Sequence, residues 1–208
     1  MSTGTAAPNV ERKRFLNAYP AAEDAHSYDE RPLLLEHIDP QMFVSRNSVP
    51  QPFFLVCEKD TVLTALSGEA LVEFRECSVL HHRFVAGDFV YVPAGTPHRI
   101  VPQKPGLHLR YKARVSELEG VAWYCEACNT ERYRREWNAQ TVLPQEGYAE
   151  ACRYYAASIQ GRPCAKCGEP APPLDLGDTR WDALAAALRQ APAAVDPLSH
   201  ANVLDPPR

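Results

Sequence analysis

The sequence predicts a mainly β protein, an antiparallel sandwich or barrel with a four-cysteine metal knuckle and short helices. Three observations lead there. Between Leu33 and Arg114, short runs rich in Val, Phe, Leu and Tyr alternate with turn residues, the pattern of many brief antiparallel strands. Two CxxC pairs, Cys125-Glu-Ala-Cys128 and Cys164-Ala-Lys-Cys167, follow that region. The run Gly87-Asp-Phe-Val-Tyr-Val-Pro93-Ala-Gly95-Thr-Pro-His98 reads as a hairpin turn, four β-prone residues and a second turn that sends His98 back toward the interior.

The elements follow in chain order. Residues 1–32 are polar and proline-punctuated, an N-terminal extension with one helix-compatible stretch around Glu11–Ala18. Strands are expected at Gln41–Ser45, Pro52–Cys57, Thr61–Leu66, Ala70–Phe74, Phe89–Val92 and Leu107–Arg114, which makes 33–118 the barrel. Glu131–Trp137 alternates and reads as a further strand. Gln145–Ser158 has helical spacing, with Tyr148, Ala151, Cys152 and Tyr155 on one face. Asp178–Arg189 is a second amphipathic helix with a stripe of Trp181, Leu184, Ala185 and Leu188, and Asp178 or Thr179 is placed to cap it. Residues 119–190 thus form a knuckle-bearing helical appendage packed on the barrel. The proline-rich stretch 191–208 reads as a flexible tail.

With 208 residues, 45% of them hydrophobic, the chain is long enough for one well-cored domain and an appendage. A net charge of −4 and a pI near 6.0 argue against nucleic acid or an anionic membrane as the main partner. No apolar run approaches 18 residues, and Met1–Val10 lacks the charged-then-apolar order of a signal peptide. A cytoplasmic, reducing setting is expected, which favours metal ligation over disulfides for the paired cysteines. Cys57, Cys77 and Cys152 stand alone and read as small hydrophobes.

A CxxC turn aims two thiolates at one point, and two such turns complete a tetrahedral sulfur cage. Cys125, Cys128, Cys164 and Cys167 are therefore the expected ligands of one ion, Fe or Zn. Gly168 supplies the left-handed corner such a knuckle needs.

The segment from Gly87 to His98 has every landmark of the second motif of the cupin superfamily and resembles it: glycine, five residues, proline, one residue, glycine, two residues, histidine. Together with Gly120-Val-Ala-Trp-Tyr-Cys125-Glu-Ala-Cys128 and Pro163-Cys164-Ala-Lys-Cys167-Gly168, the chain is similar over about 33–170 to bacterial 3-hydroxyanthranilate 3,4-dioxygenase. The resemblance implies a jelly-roll barrel, a catalytic non-heme Fe(II) ligated in part by His98, a separate rubredoxin-like iron on the four cysteines, and ring opening of a small aromatic acid.

The first cupin motif is degenerate. Counting back from Gly68, its glutamate position falls on Thr61, its histidine position on Leu55, and the second histidine of the commoner pattern on Cys57. The two-histidine, one-carboxylate triad of a non-heme iron site is missing, so a barrel metal is doubtful. Cys57 with Glu58 is an alternative ligand source, while His81 and His82 read as a solvated strand end. At the position of the family's substrate-site glutamate stands Arg110. His108 and Arg110 share a strand face. Turned inward they join His98 in a cationic pocket suited to a carboxylate or phenolate; turned outward they leave Arg110, Lys112 and Arg114 in water. His98, His108, Arg110 and Cys57 are the candidate catalytic residues. The expected partner is a small aromatic acid, with a homodimer left open. Three functions compete: altered or metal-independent chemistry on an anthranilate-like acid, placed first; a non-catalytic binding or regulatory cupin; and a true Fe(II) ring-cleaving dioxygenase.

Overall fold

In the computed structural model, residues 8–192 are described. Eleven strands run in the order β1 (Arg31–Pro32), β2 (Gln41–Asn47), β3 (Phe54–Cys57), β4 (Thr61–Ala65), β5 (Glu69–Phe74), β6 (His81–Val85), β7 (Phe89–Val92), β8 (His98–Lys104), β9 (Gly106–Lys112), β10 (Leu118–Tyr124) and β11 (Glu131–Asn138). A one-turn helix α1 (Ala18–Ala21) precedes them, and α2 (Pro144–Ser158) and α3 (Trp181–Gln190) follow.

The strands form two antiparallel sheets, β1-β2-β9-β4-β7 and β11-β10-β3-β8-β5-β6. Numbered from one to eight, β2 to β9 stand in the orders 1-8-3-6 and 2-7-4-5. Among these eight strands every sheet neighbour except in the β5–β6 hairpin comes from a crossover between layers, which is the jelly roll of two Greek keys. Along β5, Ala70, Val72 and Phe74 are buried while Glu69, Leu71 and Glu73 are only partly covered, the two-residue period of a strand with one inward face. β9 is buried at every residue but Tyr111, as befits a central strand covered on both faces.

The expected mainly β class holds, with one correction: the sheets do not close into a barrel. β7 and β6 are joined by the Gly87 turn but belong to different sheets and end them. The sheet also runs past the expected boundary at 118, since β10 pairs with β3 from Glu119↔Cys57 to Ala122↔Phe54. Neither β8 nor β10 stood out as a strand in the sequence. Pro102 interrupts β8, and proline speaks against a strand interior. Gly120 interrupts β10, because the β11 backbone passes so close that an added Cβ would meet Arg135 O at 2.8 Å.

Residues 11–18 are not the expected helix. Lys13 N–H donates to Leu33 O at 2.9 Å, which ties this stretch to the chain that enters β1. Within the described part of the 1–32 extension, Ser27, Tyr28, Asp29, Glu30 and Arg31 are all buried. α3 starts later than expected and has no side-chain cap: Arg180 is its N-cap, not Asp178 or Thr179. Asp178 instead accepts from the Ser27 N–H. Of the expected tail, residues 193–208 lie outside the described residues.

The main core fills the space between the sheets and continues under α2 and α3. Phe53 is its pivot, with ring centroids 4.9 Å from Tyr148 and 5.8 Å from both Trp123 and Trp181. Trp181 Nε1 donates to Tyr28 O at 2.8 Å, so α3 both packs on the sandwich and fixes the loop that carries Glu30.

Candidate functional site

The interior of the sandwich holds the second-motif histidine. His98 opens β8, fully buried, directly across the ladder from Leu55. That register places a buried leucine where the family resemblance asks for a histidine. Thr61, at the glutamate position, lies buried opposite Lys112. His98 Nδ1 donates to Thr96 O at 2.9 Å, which leaves Nε2 as the acceptor, and Arg110 Nη1 donates to it. Burial, reinforced by the adjacent guanidinium, pulls the His98 pKa down to about 3. The imidazole is therefore neutral, and the lone pair a metal would use is taken.

Arg110 is committed on its other side as well. Its Nε donates to Glu30 Oε1 at 2.9 Å. Lys112, two residues on and facing the same way, bridges Glu30 Oε2 at 3.4 Å and Glu119 Oε1 at 2.8 Å. Its ammonium also lies 4.9 Å from the Phe43 ring centroid. Burial alone would raise the Glu30 carboxyl, but Arg110 and Lys112 outweigh it and hold the group below the usual carboxylate range. The interior is thus a ring of two cations and two carboxylates with no net charge, not the cationic pocket read from His98, His108 and Arg110.

Glu30 reaches this ring from a strained loop. Its φ is 44°, outside the range that ordinary residues favour. Its N–H donates to Ser45 Oγ at 2.9 Å, and the Gln145 amide donates to the Asp29 and Glu30 carbonyls at 2.8 and 2.7 Å. Asp29 is held in turn by Arg180 Nη2 at 2.8 Å. Residues far apart in the chain so pin one carboxylate inside the sandwich, and such a conformation persists only where its surroundings over-determine it.

His108 and Arg110 both lie buried. His108 stacks on Phe84 at 5.3 Å and accepts at Nδ1 from Asn47 Nδ2 at 2.9 Å. Burial, then Arg110, pulls its pKa down to about 4. Cys57 is buried too; burial first, then the Glu119 carboxylate, pushes its thiol up to about 12. Neither nucleophilic nor metal-ligating thiolate is available there. Glu58 is spent on the Leu118 N–H at 2.6 Å, and His81 and His82 stand exposed on β6. Arg114 lies past the end of β9 and is exposed.

An iron in the interior is what the family resemblance implies, and the residues do not fit it. Leu55 offers no donor atom, Thr61 offers a hydroxyl in place of a carboxylate, and His98 Nε2 already holds a hydrogen bond from a cation. Sequence reasoning missed Glu30 and Glu119, which balance Arg110 and Lys112. The available signal was the pair of cations on one face of β9, because buried charges need partners.

A cavity of about 450 Å³ lies beyond the ring, with Gln41, Lys112, Glu119 and Gln145 among the buried residues that line it. Arg12 and Arg114 line it as well.

The four cysteines make the second site. Cys125 and Cys128 follow β10; Cys164 and Cys167 lie on the loop after α2. Their four sulfurs lie within 4.8 Å of one another, with Cys125–Cys167 at 3.5 Å and Cys128–Cys164 at 3.6 Å. Metal–sulfur bonds of about 2.3 Å in a tetrahedron require sulfur separations of about 3.8 Å, so the group fits one tetrahedral ion with little movement. Burial works against a Cys125 thiolate, yet the N–H groups of Cys128 and Ala127 and the Cys167 thiol bring its pKa down to about 6. At Cys167 the Glu169 N–H favours ionisation, but the neighbouring sulfurs outweigh it and push the thiol up to about 12. Four thiolates this close need a cation between them, and the cluster can hold a metal.

Among the described residues no helix is long and apolar enough to cross a membrane. No family model matches the chain. Among solved structures, it is similar to a hydroquinone 1,2-dioxygenase in complex with Cd²⁺ and 4-hydroxybenzonitrile, at TM-score 0.42 and 18% identity over 54% of this chain and 82% of that one. A hydroquinone 1,2-dioxygenase from Sphingomonas with 4-hydroxybenzoate bound gives TM-score 0.41 and 13% identity over 54% and 84%. A cupin-2 domain protein from Shewanella frigidimarina gives TM-score 0.34 and 17% identity over 39% and 78%.

Proposed function

We propose that this protein is a small-molecule-binding cupin, carrying a structural metal on its four cysteines, in which an ion-pair ring has replaced the oxygenase iron site. The observation that carries this reading is the hydrogen bond from Arg110 to His98 Nε2, with Arg110 itself anchored on Glu30. It ranks the binding reading above altered chemistry on an anthranilate-like acid. The neutral histidines and the protonated Cys57 give the interior no base or nucleophile poised near neutral pH.

The ligand class remains a small organic acid, aromatic by the family resemblance, but its seat moves outward. Arg110 gives its Nε to Glu30 and its Nη1 to His98, and only the buried Nη2 is left without a partner, too little for a two-pronged grip on a ligand carboxylate. Arg12 and Arg114 line the cavity of about 450 Å³, and a volume of that order suits a small molecule. A guanidinium is the side chain best matched to a carboxylate.

The test is calorimetric titration with benzoate, anthranilate and 3-hydroxyanthranilate, alongside an oxygen-uptake assay with added Fe(II). The reading expects binding of at least one acid, weakened tenfold or more by Arg114→Ala, and no oxygen uptake above background. Ring-opened product at enzymatic rates would return the protein to the dioxygenases. Absence of binding by every acid would remove the ligand assignment.

A further inference from the structure

The four-cysteine site is built from two copies of one turn. In the first, Cys125 N–H donates to Thr130 O at 2.8 Å and Asn129 N–H to Cys125 O at 2.7 Å. In the second, Cys164 N–H donates to Glu169 O at 2.8 Å and Gly168 N–H to Cys164 O at 2.9 Å. Asn129 and Gly168 occupy the same place and share a left-handed backbone, at φ 58° and 80°. Beyond that point the copies part. Seven residues after its first cysteine, one has Arg132 and the other Ala171.

Arg132 is placed by an irregularity in the sheet. The β10–β11 ladder is regular up to Trp123↔Tyr133 and resumes at Tyr124↔Glu131, so Arg132 is an extra residue with no partner across the ladder. A bulge of this kind re-aims a side chain. Arg134 points to Glu131, Glu76 and the Tyr124 hydroxyl. The Arg132 guanidinium turns instead to the cysteines. Its Nη2 donates to Cys125 Sγ at 3.3 Å and to Glu169 O at 2.6 Å, and its Nη1 donates to Arg162 O at 3.2 Å. One side chain therefore touches a ligand sulfur of the first turn and two carbonyls of the loop that carries the second.

We propose that Arg132 is the positioning residue of the four-cysteine metal site, locking the second cysteine turn onto the first and offsetting part of the negative charge of the metal–thiolate centre. A divalent ion on four thiolates leaves two net negative charges, and a trivalent ion leaves one. A guanidinium hydrogen-bonded to a ligand sulfur stabilises the more negative state more strongly, so it raises the reduction potential of a bound iron. Its two carbonyl contacts act separately, by holding Cys164 and Cys167 within reach.

The experiment uses the full chain loaded with iron, comparing wild type, Arg132→Met, Arg132→Lys and Arg134→Met. Two quantities are read: the rate of metal loss to an excess of chelator and the Fe(III)/Fe(II) reduction potential. Outer-sphere partners of metal ligands are worth about ten- to a hundredfold in metal affinity. Arg132→Met should release metal at least tenfold faster and show a lower potential. Arg132→Lys should keep the potential near wild type but release metal faster, because an ammonium carries the charge without spanning both carbonyls. Arg134→Met should match wild type in both readings. Wild-type release and potential in Arg132→Met overturn the proposal. So do equal effects from Arg134→Met, since the change would then be a general loosening of β11. If Arg132→Met fails to fold, Arg132→Lys decides, and wild-type release from it is the overturning result.

Discussion

At the four-cysteine site the four sulfurs lie close together, and backbone N–H groups and the Arg132 guanidinium donate to them. In the interior, His98 presents its nitrogen lone pair to Arg110, and every neighbouring carboxylate is engaged by a cation. Both clusters are rich in residues that ligate metals elsewhere. What separates them is the charge that faces the lone pair. Donors surrounding thiolates leave a collective negative centre that calls for a cation, whereas a guanidinium aimed at an imidazole supplies the cation covalently attached to the fold. A binding site for metal is thus recognised by what opposes its ligands more than by the ligands themselves.

The comparison can be broken at several points, the first with the largest effect. Cys125→Ser should empty the cysteine site and lower the melting temperature sharply. Metal binding to such cages is coupled to folding, with apparent energies of about 10 kcal/mol in small zinc peptides. Elemental analysis and calorimetry check it, and an unchanged melting temperature would separate the knuckle from the fold's stability.

Glu30→Gln attacks the other cluster. It leaves Arg110 and Lys112 buried with a single carboxylate between them, and stripping one partner from a buried ion pair costs about 3–5 kcal/mol. Denaturant unfolding reads this directly. A loss under about 1 kcal/mol would mean that water or a rearranged Glu119 takes over the role of Glu30.

Acid should loosen the interior before it touches the rest. His98 and His108 have folded pKa values of about 3 and about 4, below the unfolded value near 6.5. The unfolded chain therefore binds protons first as pH falls. Each histidine removes up to about 1.4 kcal/mol of stability per pH unit, from about pH 6.5 down to its folded value. Glu30, held below its ordinary range, contributes stability that is lost only as pH falls further, through its own folded pKa. Stability measured from pH 7 to pH 4 should fall, and His108→Gln should flatten that fall. An unchanged slope in the variant would mean that His108 already charges in the folded state.

The smallest effect belongs to Cys57. Cys57→Ala should cost about 1 kcal/mol, an ordinary core change, and in the wild type an alkylating reagent at pH 8 should leave Cys57 unlabelled while the protein is folded. Rapid labelling would return a reactive thiol to the interior.

What was legible in the sequence was local. Each CxxC pair carries its own geometry within four residues, and the Gly87 to His98 run carries two turns and a strand within twelve. The strand expected at Phe89–Val92 matches β7 residue for residue, and Gln145–Ser158 falls one residue short of α2. The interior ring was not legible, because it joins residues 30, 98, 110, 112 and 119 through the sheet crossovers, and an isolated glutamate such as Glu30 reads as solvated. The Arg132 bulge was equally hidden. Its alternating neighbours look like a regular strand, and only pairing with β10 shows the extra residue.

The central claim, that the cysteines hold a metal and the interior excludes one, is tested most directly by metal stoichiometry. Purified protein is loaded anaerobically with Fe(II) and desalted, and the sum of iron and zinc per chain is measured for the wild type and for Cys125→Ser combined with Cys164→Ser. The account predicts one ion in the wild type and none in the double variant. Two ions in the wild type, or one retained by the double variant, would place a metal in the interior and contradict it.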